Sequence, residues 1–254
     1  MLPKLLKVIG VLALLGGQAH AADLVVLAAA AVKKSVENVP DRFQKMTGDH
    51  VTFVFGTAGQ IRKKAMADNS FAIVVLPPAP LTELIKGGLV VDGSRQDLGT
   101  VRLAAAVQSG ATQPDLTDMQ TFKQSLLNAP SIGLANPATG ATTGTYLAEL
   151  FKRMGIADQL SSKIKLYPDG LAAMQGLARG EVALGLGQKS EITPVAGVDL
   201  IGVLPDAAQL RTIYSAGLGS NSGDRQAAQR LLTYLRSPEM KAAFVANGFE
   251  EETK

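Results

Sequence analysis

Residues 51–62, VTFVFGTAGQIR, allow few folds: an apolar run stops at Gly56 and a helix-compatible run begins within three residues. Val51, Phe53 and Phe55 alternate with Thr52 and Val54 as a short buried strand would, while Ile61, Lys63, Lys64 and Met66 suit a helix. Gly56, Thr57, Ala58 and Gly59 lie between them. A helix starting directly behind a strand offers the N–H groups of its first turn, and a positive dipole end, to an anion. A plain strand-to-helix turn would use the same small residues.

The junction belongs to a longer alternation. Apolar runs at 23–27, 51–55, 71–76, 101–107, 131–134, 164–166, 182–186, 199–203 and 212–218 predict strands. Helical patterns at 32–46, 60–67, from Pro78 to Gly87, and at 116–127, 142–154, 171–178, 224–235 and 238–246 fill the gaps. Strands alternating with helices through short loops predict an α/β fold with a parallel sheet covered on both faces. Ligands of such sheets sit at the C-terminal ends of the strands. The alternation restarts after Gln113-Pro114, which divides the chain into two lobes, residues 22–102 with 211–254 and residues 103–210. Two crossing segments make a hinge, and the cleft between hinged lobes suits a small ligand.

Residues 1–21 read as an export leader: Lys4 and Lys7, the apolar run 8–15, and Ala19-His20-Ala21 before Ala22. An apolar run that short cannot span a bilayer, which needs about 20 residues. The mature chain is therefore expected in the periplasm, cut near Ala21. Without any cysteine the chain has no disulfide, thiolate metal site or cysteine nucleophile. Beyond the leader, 23 basic residues face 22 acidic ones, a net charge of +1 that argues against a nucleic-acid partner. Aromatic residues make up 5% and tryptophan is absent, so a sugar cleft built on ring stacking is disfavoured. His50 alone would have to serve a Ser-His-Asp triad, and no His or acid cluster has metal-ligand spacing, so no metal and no cofactor is expected.

Together, Leu27-Ala28-Ala29-Ala30-Ala31-Val32, Phe55-Gly56-Thr57-Ala58-Gly59, residues 131–146 and Glu181-Val182-Ala183-Leu184-Gly185 resemble the periplasmic molybdate-binding proteins of ABC importers. The resemblance covers nearly the whole mature chain. It implies a periplasmic binding-protein fold of two α/β lobes that closes on a small anion, a monomer, and an inner-membrane ABC permease as partner. It also implies hydroxyl donors at three places, and this chain departs at each. The two serines align with Ala31 and Ala58, and the tyrosine aligns near Gln188. Each charge-assisted hydrogen bond contributes about 1–2 kcal/mol net, so the departures argue against molybdate and for a larger, carboxylated anion.

The loop 56–61 and the turn 188–192, Gln-Lys-Ser-Glu-Ile, are further similar to a periplasmic aconitate isomerase built on this fold. Two functions stay open: a receptor for an aconitate-like polycarboxylate, or an isomerase that interconverts trans- and cis-aconitate by an allylic proton shift. The expected ligand contacts are Ala30, Ala31, Gly56, Thr57, Ala58, Gly59, Arg62, Thr142, Thr143, Gln188, Lys189 and Ser190. Lys189, Glu191 and Tyr146 are the candidate catalytic residues. Three of the expected site residues have a plainer alternative: Arg62 on a solvated helix face, Tyr146 in the core, and Glu191 as an acid favoured by a helix N-terminus.

Overall fold

The computed structural model describes residues 21–250. The expected leader at 1–21 lies, but for Ala21, outside them. Among the described residues no helix is long and apolar enough to cross a membrane.

One nine-stranded sheet runs through the molecule. Its first half holds β1 (Asp23–Ala29), β2 (His50–Gly56), β3 (Ile73–Leu76) and β9 (Arg211–Leu218). The second half holds β5 (Ile132–Ala135), β6 (Ile164–Tyr167), β7 (Leu184–Gln188) and β8 (Val198–Val203). The long strand β4 (Gln96–Gln108) joins them, pairing with β9 as far as Arg102 and with β7 from Leu103 onward. The order is β2-β1-β3-β9-β4-β7-β5-β6, with β8 against the second part of β4.

Period-two alternation places helices on both faces of each half. In the first half Val26, Ala28, Ile73 and Val75 face a core shared with α1 (Val39–Thr47), α9 (Arg225–Tyr234) and α10 (Pro238–Ala246). Leu27, Val74 and Leu76 face the opposite way, toward α2 (Ala58–Ala67) and α3 (Pro78–Lys86). In the second half Leu103, Ala105 and Val107 pack with α4 (Met119–Asn128) and α5 (Thr142–Arg153), and α6 (Ala157–Ser161) follows in the same layer. Ala104 and Ala106 turn toward α7 (Gly170–Ala178) and α8 (Lys189–Ile192).

Three expectations are corrected. The sheet is mixed: β9 runs antiparallel to both β3 and β4 because the chain re-enters the first half from the second. The helix expected over 32–46 begins only at Val39, after a short 3-10 turn at Ala30–Val32. Pro40 explains this, since in the interior of a longer helix it would remove a hydrogen bond and clash with the preceding turn, whereas in the first turn it is tolerated. The strand expected to be buried at 51–55 is β2, an edge strand; Val51 is buried, Thr52 exposed and residues 53–56 half-buried.

Both crossings between the halves meet at Gln209. The Leu103 N–H donates to its Oε1 at 2.7 Å, and its Nε2 donates to the carbonyls of Leu103 and Leu204. Arg102 and Arg211, one on each crossing strand, both pair with Glu250.

Candidate functional site

The C-terminal ends of β1, β2, β5, β6 and β7 meet around one small cavity of about 20 Å³, to which β9 contributes Tyr214. That is where an α/β sheet exposes the first turns of its helices, and the enclosed space is about that of one water molecule. β1 contributes Ala29, Ala30 and Ala31, and the junction after β2 contributes Thr57 and Ala58. From the second half come Ala141, Thr142, Thr143, Asp169, Gly170, Gln188 and Glu191, and β9 adds Tyr214. No lysine, arginine or histidine is among these lining residues.

Of the helix N-termini at the cavity, those of α2 and α5 differ. At α2, Thr57 Oγ1 accepts the Gln60 N–H, and Gln60 Oε1 accepts the Thr57 N–H, a reciprocal cap. The Thr57 hydroxyl proton goes to the carbonyl of Thr139 at 2.5 Å, so that hydroxyl has no hydrogen left for an anion. At α5 the N-cap is Ala141 and no side chain caps the helix. Its first N–H groups therefore remain available to a ligand.

The bond from Thr57 to Thr139 is one half of a latch between the two halves of the sheet. The other is the Gly59 N–H donating to the Gly140 carbonyl at 3.1 Å. A Cβ at Gly59 would lie 2.8 Å from Gly140 Cα, so only glycine permits this approach. Outside the latch a groove of about 520 Å³ runs past Gly59, Gly140, Tyr146 and Arg153. Ala58 and Thr142 line both the groove and the cavity.

Glu191 is the chemically distinctive side chain of the cavity. It is 7% exposed and accepts the Gln188 N–H at 3.2 Å. Burial pushes its carboxyl up to about 7, with the Asp169 charge adding to the rise, while the N–H groups of Gln188 and Gly170 work against it. A Cβ on Gly170 would fall 2.1 Å from Glu191 Oε2, so the carboxylate rests directly on the glycine backbone. Beside it the buried Tyr214 hydroxyl donates to Gln188 Oε1 at 2.9 Å, which leaves Gln188 Nε2 buried without a partner. Burial and the Glu191 charge both raise the Tyr214 pKa, so its hydroxyl stays protonated.

Of the residues expected from sequence, the cavity gathers Ala30, Ala31, Thr57, Ala58, Thr142, Thr143, Gln188 and Glu191. Ala31 and Ala58 present methyl groups where the resemblance calls for serine hydroxyls. Gly56, Gly59, Arg62, Lys189, Ser190 and Tyr146 are not among its lining residues. Arg62 pairs with Glu83 at 2.5 Å on the surface. Tyr146 donates its hydroxyl to the Gln209 carbonyl at 3.0 Å, and Arg153 lies 5.5 Å over its ring. Ser190 is buried with its hydroxyl unpartnered, and Lys189 is half-buried. Asp169, Gly170 and Tyr214 escaped the sequence reading. Asp169 does carry a local signal, since its side chain accepts the Ala172 N–H as the N-cap of α7. Nothing local marks Tyr214, a strand residue delivered by β9.

With this geometry in place the relationships are specific. Residues 24–250 match the sequence profile of the family described as bacterial extracellular solute-binding protein, and the chain belongs to that family. It is 33% identical over 234 residues to an aconitate isomerase of a Pseudomonas species, covering 89% of this chain and 87% of that protein. Identity to the molybdate-binding protein of Escherichia coli (strain K12) is 23%, over 89% of this chain and 88% of that protein. The periplasmic molybdate-binding protein of Azotobacter vinelandii has the same fold, with a TM-score of 0.75 at 19% identity over 91% of this chain and all of that one.

Proposed function

We propose that the cleft binds a small unsaturated polycarboxylate of the aconitate type and that Glu191 moves a proton on it, interconverting trans- and cis-aconitate. One observation carries the reading: a buried carboxyl group in the cavity, held near pKa 7. Glu191 also caps α8 by accepting the Gln188 N–H, a role a receptor would share, but a base poised near neutrality is what proton abstraction requires. Glu191 would take the carbon-bound proton and the electron pair would spread into the allylic system and its carboxylate. The same carboxyl would then return the proton at the other end of the system, leaving protons and charge balanced. The uncapped start of α5, the hydroxyls of Thr142 and Thr143, and Gln188 Nε2 supply neutral donors for the carboxylates. The 33% identity to an aconitate isomerase supports the same substrate class.

The setting we infer is the periplasm, with a mature monomer starting near Ala22. Residues 22–102 with 211–254 would close against 103–210 about the crossings at Arg102–Leu103 and Leu210–Arg211; the change of partner along β4 supports that hinge. Membership of the solute-binding family favours a second reading, a receptor for the same anion that hands it to an inner-membrane permease.

The test is direct. Purified residues 22–254 are given trans-aconitate while cis-aconitate is followed, and trans-aconitate, citrate and molybdate are titrated by calorimetry. Turnover establishes the isomerase. Tight trans-aconitate binding without turnover establishes the receptor, and tight molybdate binding overturns both.

A further inference from the structure

Gln188 and Tyr214 form a unit whose purpose packing does not explain. Gln188 is 2% exposed and Tyr214 3% exposed, and both line the cavity. The tyrosine hydroxyl donates to Oε1 at 2.9 Å, and the amide nitrogen has no partner in the protein. A buried unsatisfied donor normally costs about 1–3 kcal/mol, so such an atom beside a cavity points to a ligand acceptor. The reverse amide orientation would set Oε1 in the same cavity as the Glu191 carboxylate and an anion. With Glu191 ionised, acceptors would then meet with no hydrogen among them. The hydrogen bond from Tyr214 selects the orientation that avoids this.

From this geometry we propose that Gln188 Nε2 binds the carboxylate on which negative charge develops, and that Tyr214 is a positioning residue that holds the amide for that task. The inference rests on the proton-shift reading above and explains why the donor is neutral. A lysine or arginine there would attract the anion more strongly but would also stabilise ionised Glu191 and weaken it as a base. An amide donates to developing charge without altering the acid beside it by a full unit charge. The charged groups on the elements around α8 are engaged elsewhere: Arg102 of β4 with Glu250, Asp97 of β4 with Ser215, and Asp199 of β8 with Ser109. Asp169, at the start of α7, is the neighbouring charge that acts on Glu191. Tyr214 thus takes part at the place where the related transport proteins are expected to present a tyrosine directly, but it does so from β9 and through an amide.

A double-mutant cycle on residues 22–254 tests the unit. Gln188→Met is expected to lower kcat/KM for trans-aconitate about 100-fold, as loss of one oxyanion donor does. Tyr214→Phe should lower it about 5–10-fold, mostly in kcat, and the double variant should be no worse than Gln188→Met, because residues acting as a unit are not additive. Multiplying effects would overturn the proposal. A readout that needs no ligand separates this from the choice of substrate: the side-chain amide resonances of Gln188 in 15N-labelled protein, assigned by their loss in Gln188→Met. In Tyr214→Phe they should shift and exchange with solvent faster. Unchanged resonances overturn the role of Tyr214 even if aconitate is turned over. Shifted resonances in a protein that ignores aconitate would uphold the positioning and remove the substrate.

Discussion

The two walls of the cavity are built from different chemistry. The wall from the ends of β1 and β2 consists of Ala29, Ala30, Ala31, Ala58 and a threonine whose hydroxyl proton is engaged by the opposite half. The facing wall holds both carboxyl groups, the glutamine amide and an uncapped helix N-terminus. One side presents methyl groups and the latch to the opposite half, and the other presents the ionisable and amide groups. A receptor for a compact oxyanion would be expected to carry donors on both sides, so the asymmetry itself argues for a site where chemistry is confined to one face.

The comparison breaks most visibly at Glu191. Glu191→Gln keeps the size and removes the base, so turnover of trans-aconitate should fall about 10³-fold, the range for a general base, while calorimetric Kd stays within a few-fold. Equal loss of binding and turnover would mean that Glu191 shapes the wall and does not act on the ligand.

Next in size is a pH effect on stability from the same residue. The folded pKa of about 7 lies above the ordinary value of 4.5, so the folded state holds a proton that the unfolded chain has released. The contribution is complete below pH 4.5 and is lost as pH rises to about 7. The loss is about 3 kcal/mol, and it should be absent from Glu191→Gln when urea midpoints of the two proteins are compared across that window.

Gly170→Ala should cost about 1–3 kcal/mol in thermal or urea denaturation, because the new methyl would lie 2.1 Å from Glu191 Oε2 and must push it aside. Activity should fall with it, as the carboxyl loses its place over the glycine.

The smallest change addresses the quiet wall. Gly59→Ala obstructs the approach of Gly140, so ligand affinity should weaken about tenfold with little change in the stability of the free protein. Small-angle scattering of the ligand-saturated variant should show a radius of gyration that stays near that of the open form. A wild-type contraction in the variant would show that the latch is not needed for closure.

Much of the framework was legible along the chain. Each strand coincides with an apolar run, and the helices end near the glycines and prolines that cannot continue them, as Gly48 does for α1 with φ of 84°. The junction after β2 was readable as a strand end followed by a helix start, and Ala31, Ala58 and Gln188 could be singled out because they replace expected hydroxyls. What could not be read was which functional groups share space. Lys189, Ser190 and Glu191 are adjacent in sequence, yet the cavity takes Glu191 and not its neighbours, because α8 turns successive side chains in different directions.

Local periodicity and residue type specify the strand–helix alternation and the small-residue junctions at strand ends, and the family resemblance adds that Ala31 and Ala58 stand where hydroxyls are expected. Long-range packing is what returns β9 antiparallel through the middle of the sheet and brings Tyr214 against Gln188, 26 residues away in the chain. It also decided that the junction after β2 caps itself with Thr57 and Gln60 and closes on Thr139 and Gly140, leaving the N-terminus of α5 as the open one. The physical reason is the same in each case. A hydrogen-bonding group has one strongest partner among those within reach, and reach across a closed cleft is set by the packing of two halves that no local stretch of sequence describes.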